Sequence, residues 1–461
     1  LVHVSTDHGG DWTNVTPPDL PKFSQVTMLA ESPHRSGTVY MTVARHKEGD
    51  YAPYVFKTED FGASWSSITN GLPDDDFCRV IREDPKREGL LYLGTELGLY
   101  VSFDDGANWQ SLQSNLPVTP VYDLVAKHDD LIVATHGRSF WILDDLTQLH
   151  QMEDVAGSKP HLFKPRDAVR VPPDMFADFW GSPGGKNYHV TLGQNATFYV
   201  ETDETGYATK NVIDAGDDLP VGVRITYFLD AEPKDAITLT IRDADGTDIQ
   251  TFTSDIPSDP DDREGMYLSA AEGMNSFQWS MRYPDGKKML DSNFHGRPKG
   301  QLALPGSYEA VLSVGGTELV QSFELLKHPR VQTGDEELAE QYALLTTIKD
   351  KLDEIVTGVN TCRTLKKQVA ALKDRLGADS EDGDAIDGFV AKLNEIEGQL
   401  VQAEFTSAGD TLNYRNMIFE KLSGLPPVVS SADTPPTQQS YEVYNKLAAQ
   451  ADQQLAALAS L

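Results

Sequence analysis

The sequence contains very little cysteine. Only Cys78 and Cys362 occur among 461 residues. So few thiols exclude a disulfide-stapled scaffold, and no Cys/His spacing suits a structural zinc site. Because Cys78 falls in an apolar strand pattern and Cys362 on an apolar helical stripe, we expect both to be buried free thiols. A disulfide joining two predicted domains is the alternative.

Basic residues and long apolar runs are also scarce. The chain has 39 Lys and Arg against 71 Asp and Glu, a formal net charge of −32. This balance argues against nucleic acid or anionic membranes as partners, since both need a cationic face. The sequence contains no apolar run of about 18 residues, the length needed to span a membrane, and no signal peptide is recognisable. A phosphate-binding glycine loop and a serine nucleophile elbow are missing as well.

One short pattern occurs three times in the first quarter of the chain. A hydroxyl, a carboxylate, a glycine and a tryptophan stand at fixed offsets in Ser5-x-Asp7-x-Gly9-x-x-Trp12, Thr58-x-Asp60-x-Gly62-x-x-Trp65 and Ser102-x-Asp104-x-Gly106-x-x-Trp109. The copies follow strand-like runs at a spacing of roughly 45 to 55 residues, close to the length of one β-propeller blade. The pattern therefore predicts partial β-propeller blades.

Each copy is predicted to fold as a tight hairpin turn. The carboxylate accepts backbone N–H groups, the glycine supplies a positive φ, and the tryptophan buries its ring between blades. One hairpin explains all four residues, so we assign structural roles to Asp7, Asp60 and Asp104. The alternative, in which they are catalytic acids or metal ligands, requires the three to meet at a shared pocket or ion.

The chain is long enough for two to four domains, and its patterns predict a multidomain, mainly β protein. Residues 1–150 are predicted to be the C-terminal blades of a β-propeller, with strands at 26–30, 38–45, 54–68, 78–82, 90–96, 99–103, 109–112, 121–126, 131–135 and 140–143. Because residues 1–16 resemble the last hairpin of a blade, we expect a longer precursor. Three and a fraction blades leave sheet edges unpaired, so the remaining blades would come from upstream sequence or from another chain.

Residues 151–185 are rich in Pro, Gly and aromatics without a period, which indicates a linker. Residues 186–327 are predicted to form an antiparallel, immunoglobulin-like β-sandwich without its disulfide, with Trp279 and Tyr308 in its core. The strand candidates are 196–200, 223–229, 237–242, 250–252, 275–281, 306–314 and 318–325.

From residue 335 onward the apolar period is helical. Leu338, Leu345, Leu352 and Val359 recur every seven residues and predict a helix of about 40 residues. An acidic break over 377–388 precedes a second helix at 389–400. A short third helix at 412–422 is expected to end before the pair at 426–427, and a last helix follows Pro436. We expect residues 335–461 to form a small antiparallel bundle whose apolar seam is core.

The three repeats resemble the Asp-box, or BNR repeat, of sialidases, two-propeller xyloglucan hydrolases and the sortilin family. The order of the repeats, the segment 135–145 (THGRSFWILDD), the sandwich and the bundle resembles large bacterial secreted proteins labelled BNR-repeat or sortilin-like "glycosyl hydrolases". The segments 430–437 (SSADTPPT) and 441–444 (YEVY) are similar to the terminus of that family. The resemblance implies a propeller fold and an extracytoplasmic location, with the Asp-box on the blade periphery, away from any active site.

The best candidate for ligand contact is His136-Gly137-Arg138, on a predicted turn between two strands. Arg138 could bind a carboxylate bidentately. The alternative is that Gly137 makes the turn and Arg138 pairs with Asp144 or Asp145. No pair of carboxylates can be singled out as catalytic, so no catalytic residue is assigned.

No cofactor is predicted, and calcium is the weak candidate. The acidic groups that could bind it are Asp74, Asp75 and Asp76, then Asp255, Asp259, Asp261 and Asp262, and finally Asp379, Glu381, Asp382 and Asp384. None fits the twelve-residue calcium loop, so solvated loops are the favoured interpretation.

We therefore expect an exported β-propeller protein that binds a glycan or protein ligand, with the later domains as scaffold. The alternative is a glycoside hydrolase whose active site lies mostly in upstream sequence. In either case residues 1–461 alone are expected not to cleave glycans.

Overall fold

The computed structural model describes residues 1–152, 159–171, 185–191, 194–213, 221–259, 262–292, 294–376 and 383–461. The fold is mainly β, with many sheets and a C-terminal helical region. The chain divides into two compact units, Leu1–Ser158 and Lys159–Leu461. Each is described by itself.

The first unit contains four antiparallel sheets that follow one another along the chain. The strands are β1 (His3–Val4), β2 (Thr13–Asn14), β3 (Gln25–Glu31), β4 (Val39–Arg45), β5 (Asp50–Thr58), β6 (Ser66–Ser67), β7 (Cys78–Glu83), β8 (Leu91–Thr95), β9 (Leu99–Ser102), β10 (Gln110–Ser111), β11 (Val121–Lys127), β12 (Asp130–Thr135) and β13 (Phe140–Leu143), before helix α1 (Thr147–His150). We call β1–β2 sheet 1, β3–β4–β5–β6 sheet 2, β7–β8–β9–β10 sheet 3 and β11–β12–β13 sheet 4.

Consecutive sheets bury their apolar faces against each other. Tyr92 and Val101 of sheet 3 share one buried cluster with Leu124 and Leu131 of sheet 4. The alternation of apolar residues in these strands places one side chain in two towards a neighbouring sheet. Because each inner sheet has a neighbour on both faces, both of its side-chain rows can be apolar.

The second unit begins with three sheets. Its strands are β14 (His161–Leu162), β15 (Ala168–Arg170), β16 (Lys186–Thr191), β17 (Gln194–Thr202), β18 (Ala208–Val212), β19 (Val223–Leu229), β20 (Thr238–Asp243), β21 (Asp248–Thr253), β22 (Gly273–Trp279), β23 (Gly306–Val314) and β24 (Thr317–Lys327). The sheets β14–β19–β22 and β15–β24–β23–β20–β21 share one core, and β16–β17–β18 forms the third sheet. Trp279 and Tyr308 both lie in that core, with ring centroids 5.6 Å apart.

The described part of 151–185, the predicted linker, contains two short strands. Strands β14 and β15 both fall in this range, and each is the edge strand of one of the two core sheets. Strand β15 pairs in parallel with β24, so that sheet is not wholly antiparallel. Arg170 anchors the segment, because its Nε donates to the Ala303 carbonyl at 2.9 Å and its Nη1 pairs with Asp433. Strands of two and three residues are too short to show a period. Residues 153–158 and 172–184 lie outside the described residues.

The helical part of the second unit consists of α2 (Asp335–Leu376), α3 (Gly383–Leu400), α4 (Ile418–Ser423), α5 (Leu425–Val429) and α6 (Gln438–Ala459). The heptad seam of α2 is buried against α3 and α6, since Leu352, Val359, Leu400 and Leu447 share one cluster. The predicted acidic break is shorter than expected because α3 begins at Gly383; residues 377–382 lie outside the described residues.

The predicted third helix is wrong in its bounds. The segment forms a 3₁₀ turn at Ala408–Leu412 and then α4 and α5. The pair Pro426-Pro427 lies in the first turn of α5 instead of ending a helix. Proline is tolerated there because the first helical residues have no intrahelical partner for an N–H group.

Both cysteines are free and buried, so the alternative of a disulfide between them is wrong. Burial raises the pKa of each thiol. Among the described residues, no helix combines the length and apolar character needed to cross a membrane.

Candidate ligand-binding surface

The three repeated turns, which we call the box turns, have the same internal hydrogen bonds. In each, the hydroxyl donates to the carboxylate: Ser5 to Asp7 at 2.8 Å, Thr58 to Asp60 at 2.9 Å and Ser102 to Asp104 at 2.8 Å. Each hydroxyl also accepts the glycine N–H, and each carboxylate accepts the backbone N–H four residues further on. The carboxylates are thus engaged inside their own turns.

These bonds favour the ionised carboxylate. Hydrogen bonds from the Ser64 side chain and backbone hold the pKa of Asp60 below its usual range, and those from the Asp11 backbone and Ser5 do the same for Asp7. The residue after each aspartate and the glycine both have positive φ, with Gly62 and Gly106 at 86°. Two consecutive left-handed residues make glycine the favoured second residue.

Two box turns are fixed to the preceding sheet by their tryptophan. Trp65 Nε1 donates to the Val15 carbonyl and Trp109 Nε1 to the Ile68 carbonyl, both at 2.7 Å. The expectation of a buried ring is wrong for Trp12, which is 63% exposed. Trp12 has no preceding sheet among the described residues against which to pack.

The box turns are separate from one another. Asp7 follows β1, Asp60 follows β5 and Asp104 follows β9, so each belongs to a different sheet. Among the described residues, no three His, Cys, Asp or Glu side chains form a group able to hold a metal ion.

The opposite strand ends of sheets 2 to 4 carry a connected row of aromatic side chains. We call it the aromatic ridge. Its members are the rings of His46, Tyr51, Phe77, Tyr122 and His136, together with the guanidinium of Arg79. His46 stacks on Phe77 with centroids 4.5 Å apart, and Tyr51 lies 6.2 Å from the same ring. At the other end, Tyr122 and His136 are 4.8 Å apart. The row therefore crosses three consecutive sheets.

Strand topology brings these residues together. Antiparallel pairing puts the start of β7 beside the end of β8, since Cys78 pairs with Thr95, and likewise Val121 with Thr135. Phe77 and Tyr122 lie at strand starts, whereas His46 and His136 lie in the turns after the second strands. The box turns of Asp60 and Asp104 follow the third strands of sheets 2 and 3, at the other end of each sheet, whereas the Asp7 turn follows β1.

Arg79 lies at the centre of the ridge, between two rings. Its Cζ atom is 4.9 Å from the Phe77 centroid and 4.1 Å from the Tyr122 centroid, within cation–π range. Its Nε donates to Glu96 Oε2 at 2.6 Å, and Nη2 pairs with the same oxygen. Tyr51 and Tyr122 expose 53% and 45% of their surface on either side. A neutralised ion pair is thus flanked by two accessible aromatic rings.

Asp76 fixes the turn that carries Glu96. This buried carboxylate accepts the Leu97 backbone N–H at 3.0 Å, the Thr95 hydroxyl at 2.7 Å and the Tyr100 hydroxyl at 3.2 Å. Burial raises the pKa of Asp76 despite these three hydrogen bonds, which favour its ionised form. Because both oxygens are engaged below the surface, Asp76 supports the ridge and is not a solvated loop residue.

Of the two residues singled out from sequence, His136 belongs to the ridge. Its backbone N–H donates to Pro120 at 2.9 Å. Arg138 lies exposed in the same turn, in which Gly137 has a φ of 94°.

The acidic groups considered for calcium are only partly described. Asp261, Asp379, Glu381 and Asp382 lie outside the described residues. Asp74 and Asp75 are exposed beside buried Asp76.

Sequence reasoning missed the aromatic residues Tyr51, Phe77 and Tyr122. Each stands at or near the start of a strand, where an aromatic residue is normally assigned to the core. An aromatic within one or two residues of a strand start in successive repeats is the signal that could have found them. Which of them reach solvent depends on the neighbouring sheet.

Comparisons with known proteins add little. No protein-family model matches the chain, and no curated protein matches it. Solved structures with partial likeness include a GH74 enzyme from Niastella koreensis, at 13% identity and a TM-score of 0.22, covering 64% of this chain and 38% of that one. The extracellular domain of a hybrid two-component system from B. thetaiotaomicron follows at 10% identity and 0.21, covering 66% and 31%.

YCF48 from Cyanidioschyzon merolae has 9% identity and a TM-score of 0.19, covering 69% of this chain and 86% of that one. This chain spans about a third of the length of the GH74 enzyme and of the two-component-system domain. All three scores are too low to transfer a fold or a function.

Proposed function

We propose that the first unit is a set of Asp-box β-propeller blades that binds a glycan on the aromatic ridge. The blade assignment is supported by the four-stranded meanders of sheets 2 and 3, the repeated box turns and the Trp65 and Trp109 contacts to the preceding sheet. The further blades come from elsewhere in a precursor or from another chain. The two core sheets, which lie mostly within 186–327 and include β14 and β15, form an immunoglobulin-like sandwich, and residues 335–461 form a helical bundle, both as scaffold.

The observation that carries the binding proposal is Arg79 between Phe77 and Tyr122, with Tyr51 and Tyr122 exposed. Sugar rings present apolar C–H faces that stack on aromatic rings, and their hydroxyls need hydrogen-bond partners nearby. The ridge offers both, because Glu96 pairs with Arg79 between the rings and Arg138 lies exposed in the same turn as His136. A row across three sheets suits an extended chain of sugars. We also propose that the protein is extracytoplasmic, where such glycans occur.

A protein ligand fits less well. Most of the binding energy at a protein interface comes from a continuous apolar core that is buried on binding. Here the two exposed rings, Tyr51 and Tyr122, are separated by the Arg79–Glu96 ion pair. Glycoside hydrolysis needs two carboxylates across a cleft, one of them free to donate a proton. Glu96 is engaged by Arg79 and Asp76 by three donors, so a hydrolase would have its active site in other blades.

The test is binding of purified residues 1–461 to a panel of soluble polysaccharides, measured by affinity electrophoresis and calorimetry. We expect at least one neutral polysaccharide to bind, and Tyr122→Ala and Tyr51→Ala each to weaken binding about five- to tenfold, since a stacked ring contributes about 1 to 1.4 kcal/mol. Tyr188→Ala removes an exposed tyrosine of the second unit and should leave affinity unchanged.

A reducing-sugar assay on the same panel should detect no cleavage. Absence of binding to every polysaccharide, or equal losses for Tyr122→Ala and Tyr188→Ala, would sink the proposal. Turnover that disappears in Glu96→Gln would instead favour the hydrolase.

A further inference from the structure

Arg224 occupies an unusual position in the second unit. It lies on β19 opposite Gln278 of β22. Its strand neighbours Val223 and Ile225 point into the shared core, so Arg224 points to the other face of the sheet. The residue is half-buried there.

Within the described part of the chain, the Arg224 side chain has no partner. Other half-buried arginines pair with carboxylates, as in Arg79–Glu96, Arg242–Asp248 and Arg363–Glu397. Among the described residues, none forms a hydrogen bond, ion pair or ring contact with the Arg224 side chain. Removing a cation from water without an anion is unfavourable, and carboxylates are abundant in this chain. An unpaired guanidinium in this setting marks a place for an anion from outside.

The Arg224 side chain lines a cavity of about 220 Å³. The cavity walls include the side chains of Tyr207 and Ser276, whose hydroxyls make no hydrogen bonds to described residues, and the amide of Gln278. Asp203 also lines it, but its Oδ1 accepts the Thr205 N–H at 2.9 Å, the Thr205 hydroxyl at 2.7 Å and the Tyr207 N–H at 3.0 Å. These bonds hold the turn and offset part of the carboxylate charge.

We infer that this cavity binds a small hydroxylated carboxylate, of the size of one hexuronic acid. The planar guanidinium matches a carboxylate through two parallel N–H donors. The hydroxyl and amide groups on the walls match the hydroxyls of a sugar acid. The volume lies below the roughly 300 Å³ at which pockets for larger ligands begin, so one ring fits and an oligomer does not. The site is independent of the proposed function, since it lies in the other unit and selects a different ligand chemistry.

The experiment uses residues 1–461 with D-glucuronate as probe and D-glucose as its neutral counterpart, measured by saturation-transfer NMR and calorimetry. Glucuronate is expected to bind with a Kd on the order of 1 mM, as for a single charge-assisted contact to a small ligand, and glucose at least about tenfold more weakly. Added salt should weaken glucuronate binding because half-buried charges are partly screened.

Variants locate the site. Arg224→Gln should abolish glucuronate binding, and Arg224→Lys should retain part of it. Arg242→Gln, which removes an arginine from β20 in the other core sheet, should bind as the wild type does. The inference is overturned if glucuronate fails to bind, if glucose binds equally well, or if Arg224→Gln binds as tightly as Arg242→Gln while its melting temperature stays at that of the wild type. If Arg224→Gln melts early, retention of binding by Ser276→Ala and Tyr207→Phe together would overturn it.

Discussion

Val101 and Ile142 hold the same register position in sheets 3 and 4, yet one is buried and the other is not. In sheet 3, Val101 of β9 pairs with Tyr92 of the second strand, β8. In sheet 4, Ile142 of β13 pairs with Ile132 of the second strand, β12. Val101 is 3% exposed and Ile142 58%. Sheet 4 packs on the face of sheet 3 that carries Val101, whereas the corresponding face of sheet 4 is open to solvent.

Matched threonine substitutions should reflect this difference. Val101→Thr buries a hydroxyl without a partner and should lower the free energy of unfolding by about 1 to 3 kcal/mol. Ile142→Thr should change it by less than about 0.5 kcal/mol. Urea unfolding followed by tryptophan fluorescence measures both, and similar losses for the two variants would contradict the exposed position of Ile142.

The glycines of the turns should differ in their tolerance of alanine. Gly62 and Gly137 both have positive φ, which costs alanine about 1 to 2 kcal/mol. A Cβ on Gly62 would lie 2.7 Å from the Val15 Cβ, whereas a Cβ on Gly137 would meet nothing within 4 Å. Gly62→Ala should therefore cost about 1 to 3 kcal/mol more than Gly137→Ala. Equal unfolding midpoints in urea would show that the box turn does not pack on sheet 1.

The Asp60 box turn should lose stability in acid. Because hydrogen bonds from Ser64 and Thr58 lower the pKa of Asp60 from 3.8 in the folded protein, its ionised form stabilises the fold above that value. This stabilisation is lost as the pH falls through the lower, folded pKa. Asp60→Asn should thus lower the melting temperature at pH 7 and have a smaller effect near pH 3. Asp19→Asn, in the exposed loop before β3, is the control, and a pH-independent effect of Asp60→Asn would contradict the assignment.

Asp76 should support the aromatic ridge from below. Asp76→Asn keeps the size of the side chain but replaces one acceptor oxygen by an NH2 group, so that either the Leu97 N–H loses its acceptor or the Thr95 and Tyr100 hydroxyls must turn, at a cost of about 1 to 3 kcal/mol. The turn that carries Glu96 then loosens, and Arg79 loses its fixed position between the rings. Binding of whichever polysaccharide the panel identifies should weaken several-fold. Asp74→Asn, two residues earlier and exposed, should alter neither stability nor binding.

Much of the fold follows from local pattern. The strands of sheets 2 to 4 were predictable because apolar alternation and turn residues coincide in each repeat, and α2 because its seam recurs every seven residues. Strands β14 and β15 were not predictable: two or three residues carry no period, and they are strands only because β19 and β24 offer them an edge. The first turn of α5 was missed because proline ends a helix at most positions and begins one at a few.

The sequence by itself determined the box turns, since hydroxyl, carboxylate and glycine interact within five residues of one another. It also determined the helical period of α2 and the acidic charge. Only the tertiary structure decided which aromatic residues meet and which reach solvent. Phe77, Arg79 and Tyr122 belong to two sheets, and Arg224 and Asp203 meet at one cavity only because β19 and the turn at Asp203 pack together. Such contacts depend on how separate strands pack, and that information is not contained in any local stretch of the chain.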